Sequence, residues 1–238
     1  MTADANDPAG APPRVLLLYS PASYRHAAFL GAAERLGLET VQGIDLPDPL
    51  ATHWGVPVSL DFARPAETIG RIAELHAARP IDAILPVDDA GTLLAARAAD
   101  RLGLPHNDPA SALAARDKWV MRERFAAAGV PVPRFRRYPL DADPETVAGL
   151  VEDEIGYPCV VKPPRLSGSR GVIRANDPGE LRSAWARTRR IVEEEGADPD
   201  AAFLLIEEYL PGVEVAVEGL LTGGTLQVLA IFDKPDPL

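Results

Sequence analysis

One cysteine, three lysines and four histidines stand among 238 residues, and each scarcity excludes something. Cys159 has no partner for an internal disulfide and cannot build a cysteine metal cluster, which points to a reducing compartment and a cytoplasmic setting. His26, His53, His76 and His106 are scattered, without the H-x-x-x-H or H-E-x-x-H spacing of a zinc site, and read as surface or core residues. Positive charge is in deficit, with 24 Lys and Arg against 35 Asp and Glu and a formal net charge of −11. Neutralising nucleic-acid phosphates needs a dense basic face, so no nucleic-acid partner is expected. No apolar run reaches the about 18 residues of a membrane helix, so no membrane partner is expected either. Residues 1–13 lack a basic start followed by an apolar stretch and read as a loose, disordered polar tail. Two phosphate motifs are absent: the first strand exits through Tyr19-Ser-Pro-Ala-Ser-Tyr24 without G-x-G-x-x-G, and no G-x-x-x-x-G-K-[ST] occurs.

What is present is a globular chain, 47% apolar, long enough for one large domain or two small ones. Arg14 to Tyr19 is a continuous apolar run that predicts a buried strand of a parallel sheet. A helix from about Arg25 to Leu36, a strand at Glu39 to Ile44, a Pro-rich loop, a helix at Ala66 to Ala78, a strand at Ile81 to Val87 and a helix at Ala90 to Leu102 follow. That alternation predicts an open, mostly parallel α/β sheet over residues 14–108. The pattern then changes, and a second domain is expected over 109–238.

This second stretch begins with two short helices (Ser111 to Arg116, Asp117 to Ala128) that run into the prolines at 131 and 133. A strand at Phe135 to Tyr138, a helix opened by Asp143-Pro144-Glu145 and a strand ending at Lys162 come next. After the loop Pro163 to Gly171 the chain returns as a strand at Val172 to Arg174. The following helix carries its own start signal: Asp177 as cap, Pro178 at the first position, Glu180 to complete a capping box. Phe203 to Leu210, Glu214 to Leu221 and Leu226 to Phe232 are strand-like segments separated by Pro211-Gly212 and Gly223-Gly224, and read as an antiparallel meander.

Where arginine is the default cation, as here, a lysine marks a position suited to a compact ammonium. Lys118, Lys162 and Lys234 are therefore the first markers. Lys162 ends a strand and precedes a loop with two glycines and two serines, which places an ammonium, backbone N–H groups and hydroxyls around one concavity suited to a polyphosphate. The bland alternative is a snorkelling lysine before an ordinary hairpin loop. Glu207-Glu208-Tyr209-Leu210, followed by Glu214, is the second constellation. Adjacent strand carboxylates point to opposite faces, while the backbone around Glu208 and Leu210 can pair with a flat heterocycle; solvated strand charges are the alternative. Asp88 and Asp89, past a strand's carboxyl end, either meet a cationic ligand or cap the next helix.

The ordered set of Lys118 in Arg116-Asp-Lys, Lys162, the Ser/Gly loop and Glu207 resembles the nucleotide-binding half of the ATP-grasp superfamily, which includes D-alanine–D-alanine ligase, biotin carboxylase and L-amino-acid ligases. Residues 14–108 then resemble its Rossmann-like preceding domain, and 109–238 the first, incomplete part of the ATP-grasp fold (α+β). The resemblance implies that Lys118 and Lys162 contact the phosphates of ATP. It implies that Ser167, Gly168, Ser169, Arg170, Gly171 and Val172 form the mobile loop over the β- and γ-phosphates. Glu207, Glu208, Tyr209 and Leu210 would read the adenine edge, and Glu214 would hold the ribose hydroxyls. Lys234 resembles a basic residue that some members place near the phosphates, or is a surface lysine.

Magnesium ligands in this family, a Glu and a Glu-x-Asn pair, come well after the adenine linker. They are expected beyond residue 238, with no metal ligand within the chain, which is expected to be the N-terminal part of a longer enzyme and inactive by itself. The activity implied is ATP-dependent: a small-molecule carboxylate becomes an acyl phosphate, and an amine or similar nucleophile displaces phosphate. A non-catalytic nucleotide-binding module is the alternative. The resemblance allows a homodimer, since the first domain often forms dimer contacts in the family.

Overall fold

A computed structural model describes residues 11–54, 58–196 and 202–234. The expected tail lies outside them for its first ten residues. Described helices and strands make an α/β protein, and none of the helices is long and apolar enough to cross a membrane. The chain divides into two compact units, Met1–Val132 with Pro164–Arg170, and Pro133–Pro163 with Gly171–Leu238. The change in pattern at about residue 108 and the break in packing at 132–133 are thus separate features of the chain.

In the first unit, β1 (Arg14–Tyr19) pairs in parallel with both β2 (Glu39–Ile44) and β3 (Ala83–Pro86), in the order β2-β1-β3. The apolar run of β1 is explained by burial on both faces. Leu16 and Leu18 join a core with Leu60, Ile72, Ile84, Leu94 and Ala98, whereas Val15, Leu17 and Tyr19 join Val87, with Leu30 and Leu38 packed against them. The period of two thus feeds helices on opposite sides of the sheet. On one side lies α1 (His26–Arg35), and on the other α3 (Pro65–Ala78) and α4 (Thr92–Leu102). Gly43 in β2 permits a close approach, because a Cβ there would meet the methyl groups of Leu60 at 2.6 Å and Leu18 at 2.9 Å. The segment expected to be a Pro-rich loop contains a further helix, α2 (Asp48–Trp54).

Two shorter helices complete this unit: α5 (Pro109–Arg116), capped by the Asp108 carboxylate, and α6 (Lys118–Ala127), capped by Asp117. Proline at the first helical position after an aspartate cap recurs twice in the second unit. There α7 (Pro144–Glu154) is capped by Asp143 and α8 (Pro178–Glu194) by Asp177.

The second unit holds a four-stranded sheet of β4 (Phe135–Pro139), β7 (Phe203–Glu208), β5 (Cys159–Lys162) and β6 (Ile173–Ala175), in the order β4-β7-β5-β6 and antiparallel throughout. Val147 and Val151 of α7, and Leu181, Ala184 and Trp185 of α8, pack with Cys159, Val161, Leu204 and Ile206. Trp185 meets Tyr138 edge-on at 6.5 Å. Beyond it, β8 (Val215–Thr222) and β9 (Thr225–Asp233) form a separate two-stranded sheet turned at Gly223-Gly224.

This corrects the expected three-stranded meander. The strand at 203–208 pairs with β4 and β5, not with β8. Its residues Phe203 to Glu207 are all buried, which requires neighbours on both edges and packing on both faces, and the Pro211-Gly212 break frees the following hairpin from it. The capping box also differs: Asp177 accepts from Glu180 N, but the Glu180 carboxylate reaches past the cap to Asn176 N and Nδ2, both at 2.8 Å.

Candidate functional site

Strand parity decides what the second unit presents on each face of its sheet. Cys159 and Val161 on β5, and Leu204 and Ile206 on β7, point into the helix-covered core. Val160 and Lys162, and Leu205 and Glu207, therefore point to the opposite face. There Lys162 donates from Nζ to Glu207 Oε2, and the two side chains are only 13% and 5% exposed. With Glu207 buried and Lys162 largely covered, this pair is less open to water than the surface ion pairs of the molecule.

Glu208 points elsewhere, as adjacent carboxylates on a strand must. Arg134 grips it from two nitrogens, Nε to Oε2 and Nη2 to Oε1, both at 3.2 Å, and Glu208 N donates to Arg134 O at 2.9 Å. This guanidinium hydrogen bond, ahead of a backbone bond from Arg134 N, holds the Glu208 carboxyl below its ordinary range. The backbone N–H groups of Glu208 and Tyr209 are thus already engaged, the latter by Pro158 O at 3.1 Å. Arg174 stacks 4.0 Å from the centre of the Tyr209 ring, and its Nε donates to Asn176 Oδ1. Leu210 is exposed. At the mouth of the β8–β9 hairpin, Glu214 and Lys234 pair with each other through side chains, and Lys234 N donates to Glu214 O at 3.1 Å.

Within the first unit the helix junction at 116–118 gathers another group. Asp117 closes α5 by donating its N–H to Leu113 O and opens α6 by accepting from Trp119 N and Val120 N on Oδ1. Lys118 N donates to Pro164 O at 2.9 Å and Lys118 Nζ to Leu166 O at 2.6 Å. Arg165 Nε donates to Asp117 Oδ2 at 2.8 Å. Arg116 Nη1 reaches Ala90 O at 2.7 Å and Asp89 O at 3.1 Å. Beside it, Asp88 accepts from Ala90 N on one oxygen and from Ser20 N and Oγ on the other, so of the two readings of this carboxylate the structure supports the cap.

The segment Ser167–Arg170 is exposed and has an unusual backbone: Gly168 at φ 64°, Ser169 at φ 57° and then Gly171 at φ 71°. Left-handed geometry is natural for the glycines and strained for Ser169. Gly171, in the second unit, is buried, and a Cβ there would press on the Pro163 ring at 3.3 Å; its carbonyl accepts from Thr188 Oγ1 at 3.0 Å. Val172 is exposed.

Of the histidines, His26 stacks on Tyr19 and His76 accepts from Ile81 N. Among the described residues no three His, Cys, Asp or Glu side chains are grouped to hold a metal ion. The sequence reading missed Asp117, Arg165, Arg134 and Arg174 as partners of the predicted residues. Asp117 was legible as a helix cap next to Lys118, whereas Arg134 meets Glu208 across 74 positions and left no local signal.

A model of the ATP-grasp domain matches residues 155–237, and a model of the ATP-grasp N-terminal domain matches residues 30–106. The D-alanine–D-alanine ligase of Methylibium petroleiphilum is 36% identical over 124 residues, 52% of this chain and 35% of that protein. The crystal structure of an L-amino acid ligase from Bacillus licheniformis aligns with a TM-score of 0.69 at 21% identity, covering 96% of this chain and 53% of that one. The biotin carboxylase domain dimer of Hydrogenobacter thermophilus 2-oxoglutarate carboxylase, in complex with MgADP, ADP and bicarbonate, aligns with a TM-score of 0.61 at 20% identity, covering 89% and 47%. The chain thus spans about a third of the ligase it matches in sequence and about half of the solved structures it matches in fold. Residues 30–106 and 155–237 together match the two ATP-grasp domain models, and the chain belongs to the ATP-grasp superfamily.

Proposed function

We propose that this chain is the ATP-binding portion of a ligase that joins a carboxylate to an amine or similar nucleophile. The carboxylate oxygen attacks the γ-phosphorus and ADP departs, giving an acyl phosphate. The amine nitrogen then attacks the acyl carbon, and phosphate leaves as the nitrogen loses a proton, giving an amide. The observation that carries this reading is the buried Lys162–Glu207 pair on the sheet face opposite the helices, in a chain of the ATP-grasp superfamily.

In this reading Lys118 and Lys162 bind the ATP phosphates, and Ser167, Gly168, Ser169, Arg170, Gly171 and Val172 close over the β- and γ-phosphates. Phosphoryl transfer draws nearly all its catalysis from positioning and charge neutralisation, which suits ammonium groups and backbone N–H donors. Glu207, Glu208, Tyr209 and Leu210 read the adenine. Because the Glu208 N–H is already used, that edge is left to the Glu208 carbonyl and the Leu210 N–H. Glu214 takes the ribose hydroxyls by exchanging Lys234 for them, which frees Lys234 for a phosphate or for solvent. Magnesium belongs to the proposed activity, but no described residue is assigned to it. Residues 14–108 act as the preceding domain and 109–238 as the first part of the ATP-grasp fold, in the cytoplasm.

Calorimetric titration of ATP into the protein and its variants tests this. Lys162→Ala should weaken affinity by about 2–4 kcal/mol, and Lys162→Arg should not restore it, because a planar fork does not replace a point charge. Unchanged affinity in a folded variant removes Lys162 from the site. A full-length protein that binds ATP yet releases no ADP with any mixture of carboxylates and amines would select the second reading, a nucleotide-binding module without catalysis.

A further inference from the structure

The loop assigned to the phosphates needs a fixed root if its tip is to move in a defined way. Its first residues, 164–170, are packed within the first unit. Three consecutive residues there meet different needs. Arg116 ties the α5–α6 junction to the carbonyls of Asp89 and Ala90, after β3. Lys118 takes the carbonyls of Pro164 and Leu166. Between them Asp117 is 2% exposed, and its two oxygens are divided: Oδ1 accepts from the amides of Trp119 and Val120, and Oδ2 accepts from Arg165 Nε.

A buried carboxylate needs several donors to remain charged, and the helix amides supply only part of them. Arg165 is therefore drawn to Asp117 by a charge-assisted bond in a water-poor setting, where such a bond is strongest. Immediately after Arg165 and Leu166 the chain becomes exposed, at Ser167, and enters the left-handed backbone at Gly168 and Ser169. The boundary between anchored and exposed chain lies at Leu166.

We propose that Asp117, acting through Arg165, is a positioning residue that clamps the root of the phosphate loop, so that Ser167–Val172 closes on the nucleotide from a fixed base at Leu166. The clamp rests on the nucleotide reading given above for its purpose, but not for its existence. Asp117 touches no phosphate in this scheme. It sets where the loop begins to move, while the Lys118 ammonium, already on the Leu166 carbonyl, connects that root to the phosphates the lysine is proposed to bind.

Two measurements on the whole protein test the proposal separately. The first is amide hydrogen exchange over residues 165–171 without nucleotide, comparing the unaltered protein with Asp117→Asn, Arg165→Gln and the double variant. Asparagine keeps the helix cap, so Asp117→Asn removes the charge and not the helix start. Each single variant should exchange about tenfold faster in this segment, as expected for loss of one charge-assisted bond, and the double variant no faster than either. Arg165→Lys should recover part of the protection.

The second measurement is ATP affinity by calorimetry. Both single variants should raise Kd about tenfold, again without addition in the double variant, while their urea midpoints agree with one another. A general structural defect would not give that non-additivity. Unchanged exchange in both single variants, or effects that add, overturns the clamp. Faster exchange with unchanged ATP affinity overturns its role in nucleotide binding. If the unaltered protein binds no ATP, the nucleotide reading fails, and the exchange measurement still decides whether Asp117 holds the loop root.

Discussion

Lys162 and Glu207 are diagonal neighbours on one face of the β5–β7 ladder: Lys162 pairs with Leu205, and Glu207 pairs with Val160. This offset of two residues on each strand brings an ammonium and a carboxylate within contact on the side away from α7 and α8. Removing Lys162 would take from the buried Glu207 carboxylate the ammonium that it contacts. Lys162→Ala is therefore expected to lower stability by about 3–5 kcal/mol. The double replacement Lys162→Met with Glu207→Leu is expected to cost much less, because it removes both charges of the pair together. Urea unfolding of the three variants checks this, and equal losses in the single and double variants would contradict it.

The Arg134–Glu208 contact gives a pH dependence of known sign. Glu208 is held below its ordinary range chiefly by the Arg134 hydrogen bond. The folded protein therefore keeps this carboxylate charged at pH values where the unfolded chain has begun to protonate it. Stability from the pair is complete above the unfolded value, about pH 4.3 for a glutamate, and is lost as pH falls through the lower folded value. Comparing Tm of the protein with that of Glu208→Gln should show a gap that is constant from neutral pH to about pH 5.5 and closes in more acid solution. A gap that widens in acid would reverse the assignment.

Cys159 lies in the α7–α8 core, and burial pushes its thiol up to about 11. The thiolate is the reactive form, so near neutral pH it is about a hundredfold scarcer than in a free cysteine. Labelling by a disulfide reagent should be slow in the native protein, at least about a hundredfold slower than after unfolding in guanidinium. Rapid native labelling would place the thiol nearer to solvent than the β5 parity allows.

Asp177 tests the local signals that start helices here. Its side chain accepts from Glu180 N at 2.8 Å, with Pro178 next in the chain. Asp177→Ala is expected to cost about 1 kcal/mol, and Asp177→Asn only a few tenths of that, since asparagine caps equally well. Urea midpoints of the two variants give the comparison; equal losses would show that the charge, and not the hydrogen bond, stabilises α8.

Much of the first unit was legible because its signals are local. An unbroken apolar run gave β1, and Glu39 to Ile44 emerged as β2 with the expected bounds. Asp143-Pro144 and Asp177-Pro178 started helices where expected, since a carboxylate that accepts amides two and three residues ahead needs no distant partner. The candidate residues could also be named, because strand alternation sends Glu207 and Glu208 apart and their order along the chain is a sequence property. The α2 helix was missed because prolines mark the stretch around it as loop. The transfer of Phe203–Glu208 out of a meander into a sheet with β4 and β5, and the partners Arg134, Arg165 and Asp117, depend on pairings across many residues.

The sequence by itself determined most of the segments that form helices and strands, the caps that start several helices, and the order of the candidate residues along the chain. Steric limits on the backbone, side-chain periodicity and capping act within a few residues, so those features need no distant partner. Only the tertiary structure decided that Lys162 meets Glu207, that Glu208 turns to Arg134 and that Asp117 takes Arg165. Those choices follow from strand register and from the demand of buried or shared charges for counter-charges, and both are settled only when distant parts of the chain pack together.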